Sequence, residues 1–271
     1  MTLPTKDRII IMVEVEKFPA KAFELACRLA VAHEKGITLL HLSTPKEDQA
    51  KADATLAGWV AQYAPQLQQP IDYQILIDTG EDDMQTDFTE FMEEYEQRAV
   101  IFELDGNGRY RNCKKALKLC RQLRIPYYFV KPEQKIDYKR VLVPVGFLVE
   151  EREKGVFSSG MGRFFQSEIL LMTANDYGSR AKENTKGIKT LLDKFSIKYT
   201  DIEAKKNSFK VEIEAVKRAE ELNAGLLLIS ASREYGMDDI IFGPKEQKVI
   251  GKSTVPVMVI NPRKDLYALC D

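Results

Sequence analysis

The second half of this chain repeats the first. Shifted by about 130 residues, four apolar runs of the two halves coincide. Lys6 to Val15 (KDRIIIMVEV) falls on Tyr138 to Phe147 (YKRVLVPVGF), and Gly36 to Thr44 (GITLLHLST) on Ser167 to Asn175 (SEILLMTAN). Arg98 to Leu104 (RAVIFEL) falls on Ala224 to Ser230 (AGLLLIS), and Ile125 to Pro132 (IPYYFVKP) on Val255 to Pro262 (VPVMVINP). Two copies make a duplicated domain, because a solenoid needs three or more stacked repeats to bury its core. The polar segment Pro132 to Tyr138 reads as the linker, giving domains at 1–131 and 138–271.

Within each half the runs are continuous and rich in Val, Ile and Leu, as in parallel strands buried on both faces. Helical patterns separate them. Leu25, Leu29 and Ala32 are spaced for one helix face, and so are Ile213, Val216 and Ala219. Alternation of strand and helix gives right-handed crossovers and a doubly wound α/β sheet, about five strands in each half. Ligands of such sheets bind outside the carboxyl ends of the strands, where the strand order reverses.

Composition narrows the partners. Forty basic residues against 41 acidic leave a net charge of −1, with no long-range pull on nucleic acid or an anionic membrane. No run approaches the ~20 apolar residues of a membrane span. The first residues, MTLPTKDRIII, lack a signal peptide's apolar segment and cleavage site. Cys27, Cys113, Cys120 and Cys270 show no CxxC spacing and read as reduced, which fits a cytoplasmic protein.

With the repeat and strands placed, the chain resembles the universal stress protein family in its tandem form. The C-terminal half carries the resemblance best. Glu212 to Ser232 (EIEAVKRAEELNAGLLLISAS) looks like that family's third helix and fourth strand, and Val255 to Ile260 (VPVMVI) like its last strand. The resemblance implies a Rossmann-like fold of the adenine nucleotide alpha hydrolase kind, with helices on both sheet faces. It also implies pairing of the last strands, Tyr127 to Val130 with Val257 to Ile260, as a pseudo-twofold dimer within one chain, and it leaves room for a homodimer.

Some members of that family bind ATP and others do not. Binders carry a glycine, two residues, a second glycine, nine residues, and a third glycine followed by Ser or Thr. With Gly243 as the third glycine, the earlier positions are Ser230 and Arg233, and Pro244 takes the hydroxyl position. Gly236 matches a frequent extra glycine of the loop. The aspartate that binders often place after the first strand corresponds to Gly146, which follows Val145, and to Glu14 in the first half. Glycines in phosphate loops let backbone N–H groups approach the anion. Arg233 fills space but brings a guanidinium. Gly243-Pro244 opens a helix normally, at the loss of one N–H, and leaves Lys245. Val145, Gly146, Ser230, Arg233, Gly236, Gly243 and Lys245 are thus the candidate nucleotide or anion site. The expectation is a non-enzymatic stress-response binding or regulatory protein with weak or no ATP binding. The alternatives are a nucleotide sensor or weak ATPase using this crevice, and a scaffold for partners or a small apolar ligand.

Other signals read as structure. Gly106-Asn107-Gly108 lacks the third glycine of a dinucleotide fingerprint, Arg111 standing there, and reads as a turn. Gly160-Met161-Gly162 fails likewise at Phe165. Met84, Phe88, Phe91 and Tyr95 mark an amphipathic helix with an acidic outer face. Arg109 to Arg124 reads as a helix with a basic face. His33 and His41 read as a helix-surface residue and a strand contact. Three glycines between Arg152 and Phe165 oppose a regular helix and predict a loop or broken helix. Leu266, Tyr267 and Leu269 predict a tail that docks.

Overall fold

A computed structural model of the protein describes residues 6–77, 83–232 and 245–263. The chain divides into two compact units, Met1–Glu133 and Gln134–Asp271. In unit 1 the strands are β1 (Arg8–Val13), β2 (Gly36–Ser43), β3 (Ile71–Ile77), β4 (Ala99–Glu103) and β5 (Tyr127–Val130). Between them run α1 (Ala20–His33), α2 (Gln49–Tyr63), α3 (Asp83–Glu94) and α4 (Cys113–Leu119). The sheet order is β3-β2-β1-β4-β5, every pair parallel.

Unit 2 repeats the plan. Its strands are β6 (Arg140–Val145), β7 (Glu168–Thr173), β8 (Tyr199–Glu203), β9 (Leu226–Ser230) and β10 (Val257–Ile260). Its helices are α5 (Lys154–Phe165), which a 3-10 turn (Val149–Glu153) leads into, α6 (Arg180–Lys194), α7 (Val211–Arg218) and α8 (Lys245–Lys252). The order is β8-β7-β6-β9-β10, again all parallel. The internal repeat sets equivalent starts: β1 opens at Arg8 and β6 at Arg140. Arg8 reaches Asp72 and the Pro70 carbonyl, whereas Arg140 reaches Glu168 and the Leu222 carbonyl.

Burial follows the sequence periods. All six residues of β1 and all eight of β2 are buried, as a strand between helical layers requires. Helix α1 buries Ala22, Leu25, Ala26, Leu29 and Ala30, one stripe at 3.6-residue spacing. In α3, Met84, Phe88 and Phe91 are buried. The edge strand β3 is half-buried and β8 is mostly exposed. Cys27, Cys113 and Cys120 are free thiols. Among the described residues, no helix is long and apolar enough to cross a membrane.

The broken helix expected between Arg152 and Phe165 is corrected by the structure. Lys154–Phe165 forms one regular α-helix that ends at a left-handed Gln166. Its inner face is small, with Gly155, Ser158 and Ser159 buried, so the backbone lies close to the sheet. A Cβ on Gly162 would overlap the side chain of Ile197, whereas one on Gly160 would meet nothing within 4 Å. At Gly162, close approach to Ile197 accounts for a glycine despite its helix-propensity cost. The basic segment Arg109 to Arg124 is shorter in helix than its pattern suggests, since α4 covers only Cys113–Leu119.

Two substitutions separate these roles. Gly160→Ala should stabilise the protein by about 0.5–1 kcal/mol, the usual gain of Ala over Gly inside a helix. Gly162→Ala should destabilise it, because overpacking of roughly 1–3 kcal/mol exceeds that gain. Urea denaturation midpoints check both, and Ile197→Ala should remove the penalty of Gly162→Ala.

Candidate functional site

In each unit the strand order reverses beside the first strand, between β1 and β4 and between β6 and β9. The crevice outside the carboxyl ends at that point is where this architecture binds ligands.

In unit 1 a crevice of about 560 Å³ opens there, lined by Glu14, His41, Glu47, Asp105 and Arg111 among others. His41, near the end of β2, is buried. Its Nδ1 lies 3.0 Å from the Val13 carbonyl oxygen, and its Nε2 lies 2.8 Å from Glu47 Oε1. Burial pushes the Glu47 carboxyl up, but hydrogen bonds from His41 and Ser43 outweigh it and hold Glu47 below the usual carboxylate range. Sequence reading placed His41 as a strand contact, which it is, and missed Glu47, whose six-residue offset across a loop matches no motif.

The turn after β4 is built around carboxylates. Gly106 and Gly108 take positive φ angles of 81° and 103°. The Gly106 N–H closes the turn on the Arg111 carbonyl at 3.3 Å, and Asn107 N–H donates to Asp105 Oδ1 at 3.1 Å. Tyr110 N–H donates to Glu14 Oε1 at 2.6 Å. The Glu14 carboxylate fills the space a Cβ on Gly108 would need. These glycines therefore form a turn that encloses an acid of the chain itself. Glu103, buried at the end of β4, accepts the N–H groups of Lys21 at 2.7 Å and Ala22 at 3.1 Å. It thereby caps α1, whose N-cap is Pro19 with no side-chain acceptor. Arg111 pairs with both Glu103 and Asp105.

In unit 2 the ladder between β6 and β9 covers only Val141↔Leu226 and Leu142↔Leu227. Pro144 of β6, which has no N–H to give to a ladder, follows two residues on. Its carbonyl accepts the Lys154 ammonium at 2.6 Å. Lys154 is fully buried, and its Nζ also lies 2.8 Å from Glu151 Oε2. The same oxygen accepts the Gly146 N–H at 2.9 Å. Burial drives the Glu151 carboxyl up, but the charge and hydrogen bond of Lys154, then Lys245 and the Gly146 N–H, bring it below the usual range. A Cβ on Gly146 would lie 3.1 Å from Ser208 Oγ, which leaves little room for an aspartate.

Four of the seven sequence-derived candidates fall at this edge. Val145 turns into the core, and its carbonyl accepts Ala174 N–H. Gly146 contributes its N–H to Glu151. Ser230 is buried, and its Oγ has no hydrogen-bond partner among the described residues. The half-exposed Lys245 lies 3.4 Å from Glu212. Burial lowers the Lys245 ammonium, but Glu212, Glu151 and Glu246 together raise it above the usual lysine range. Arg233, Gly236 and Gly243, with the rest of the loop before α8, lie outside the described residues, as do Leu266, Tyr267 and Leu269. Glu246, in the first turn of α8, was missed. One of its oxygens accepts the Ser232 N–H, the other is buried with no partner among the described residues, and burial raises its carboxyl.

No family model and no curated relative matches the chain. Solved structures do. A universal stress protein from Archaeoglobus fulgidus superposes with a TM-score of 0.72 at 14% identity, covering 96% of this chain and 98% of that one. A protein of unknown function from Pseudomonas aeruginosa gives 0.66 at 15%, covering 97% and 96%. The cytoplasmic domain of a prokaryotic cation chloride cotransporter gives 0.55 at 10%, covering 97% and 99%. The chain has the α/β, Rossmann-like fold of the universal stress proteins.

Glu151→Gln should cost about 3–5 kcal/mol in chemical denaturation, because it leaves a buried ammonium without its counter-charge. Glu151→Gln with Lys154→Met should lose clearly less. Because the folded state depresses the Glu151 pKa, its contribution is complete above the unfolded value of 4.5 and fades as pH falls through the folded one. Glu151→Gln should therefore flatten the acid limb of the stability profile.

Proposed function

We propose that the protein is a non-enzymatic binding and regulatory module of the universal stress type, and that neither crevice holds ATP in the manner of that family's binders. One observation carries this reading: among the described residues, carboxylates of the chain already hold four backbone N–H groups at the carboxyl edge of the two units. Glu14 holds Tyr110 N–H, Glu103 holds Lys21 and Ala22 N–H, and Glu151 holds Gly146 N–H. A triphosphate there would displace these acids or sit beside them, and either costs energy in a partly dehydrated cleft. The ammonium of Lys154 is likewise committed. A helix N-terminus by itself offers an exposed anion about 0.3–1 kcal/mol, against about 8 kcal/mol for micromolar affinity.

A second reading, nucleotide sensing in unit 2, draws on Lys245 and on two buried polar atoms with no partner among the described residues, Ser230 Oγ and Glu246 Oε2. Calorimetric titration with magnesium and ATP separates the two. The expected result is no saturable heat up to about 1 mM nucleotide, the range of a binding energy near 4 kcal/mol. Micromolar binding that Lys245→Ala abolishes would establish the sensor instead.

A further inference from the structure

Three loops at the carboxyl edge of unit 2 are tied into one surface by Ser208. Its Oγ accepts the Phe147 N–H at 2.8 Å, and the Asp176 carboxylate accepts both its N–H, at 2.9 Å, and its hydroxyl. Asn175 N–H adds a bond to the Lys206 carbonyl at 2.8 Å. This clamp fixes the loops after β6, β7 and β8 side by side. What they present is apolar: Phe209 is 82% exposed, Tyr177 fully exposed, and Leu148 and Val149 about half exposed. Phe147 meets Phe209 edge-to-face at 5.5 Å. Four of the eight large exposed hydrophobic residues of the described chain lie on these loops. Exposed apolar groups gathered in this way mark an interaction surface.

Cations surround it. Arg180, Lys182 and Lys186 lie along the start of α6, and Lys205, Lys206 and Lys210 flank Phe209. All six are exposed, and none has an acidic partner among the described residues. Lys182 and Lys186 line a groove of about 450 Å³ with Thr173 and Asn175, into which Lys189 and Asp201 turn as an ion pair. Acids stand among the cations too: Glu183 and Glu203 are exposed, Glu214 accepts the Lys205 and Lys206 N–H groups and pairs with Arg218, and Asp176 is turned onto Ser208. A net charge of −1 over the whole chain averages over this local excess of positive charge.

We propose that this edge of unit 2 docks peripherally on an anionic lipid bilayer. Leu148, Val149, Phe209 and Tyr177 enter the headgroup boundary, and the surrounding lysines meet the lipid phosphates. Cations alone would suit an acidic peptide equally. Cations with aromatic rings alone would suit single-stranded nucleic acid, whose bases stack on them. The exposed aliphatic side chains beside the rings favour the bilayer.

Cosedimentation of the full chain with vesicles of phosphatidylcholine, with and without phosphatidylglycerol, tests this. Binding is expected to the anionic vesicles alone, and to weaken as salt rises from about 0.1 M to about 1 M and the Debye length falls from ~10 to ~3 Å. Each lysine neutralised near an anionic surface costs about fivefold, so Lys205→Gln, Lys206→Gln and Lys210→Gln together should cost roughly a hundredfold. Leu148→Ser with Phe209→Ser should reduce binding at both salt concentrations. Phe209→Trp, made with Trp59→Phe so that one indole reports, should show a blue-shifted emission on anionic vesicles. No binding to anionic vesicles, equal binding to neutral ones, or an unshifted emission from the Phe209→Trp variant would overturn the proposal. So would tighter binding to a single-stranded oligonucleotide, or self-association that Phe209→Ser abolishes in a chain that ignores vesicles.

Discussion

Glu151 takes the Gly146 N–H and the Lys154 ammonium on one buried oxygen, and the carboxyl edge of unit 2 is organised around that contact. The ladder between β6 and β9 has ended by then. A parallel sheet that opens at its switch point leaves backbone groups that must be paired, because an unpaired buried polar group costs as much as a lost hydrogen bond. Where a ligand supplies the partners, the crevice is a binding site. Here the chain supplies them: the Pro144 carbonyl goes to Lys154, the Gly146 N–H to Glu151, and the Gly146 carbonyl to Asn184. Unit 1 arrives at the same solution with different residues. Glu14 and Glu103 accept the N–H groups of the turn and of α1, and Arg111 balances the charge.

These internal acids make the two halves alike in architecture and unlike in surface. In unit 1 the crevice remains open and carries the His41–Glu47 pair. In unit 2 the fully buried Lys154 closes the floor, and the loops around it are pinned outward by Ser208, which exposes their apolar tips. The two units share the strand plan and differ in their carboxyl-edge loops, as expected where fold and function rest on different residues.

The fold was legible because buried parallel strands write themselves as continuous Val/Ile/Leu runs, and the repeat wrote them twice. The edge strands β3 and β8 were harder to locate. Segments such as Tyr199–Glu203, mostly exposed and mixed in polarity, lack that signature. The glycines of α5 misled for a physical reason: propensity counts a missing side chain as a loss, whereas Gly162 gains the contact with Ile197, which no local window contains. Of the site, Ser230 was reached by alignment with a known loop and Gly146 as the position after the first strand. The acids that occupy the backbone donors could not. Glu151 and Lys154 look like an ordinary i,i+3 surface pair in sequence, and only the fold shows them buried beneath the Pro144 carbonyl and the Gly146 N–H. Glu14 and Tyr110 lie 96 residues apart.

The central claim is that the N–H groups of Lys21, Ala22, Tyr110 and Gly146, at the two crevices, are held by the protein's own carboxylates. It is tested most directly by following the amide resonances of Lys21, Ala22, Tyr110 and Gly146 in NMR spectra while magnesium and ATP are added. The expected result is that these four resonances stay in place throughout, and that Glu14→Gln shifts Tyr110 and Glu151→Gln shifts Gly146 without nucleotide. Saturable movement of Tyr110 or Gly146 on adding nucleotide to the unaltered protein would contradict it, because those N–H groups would then be free to bind phosphate.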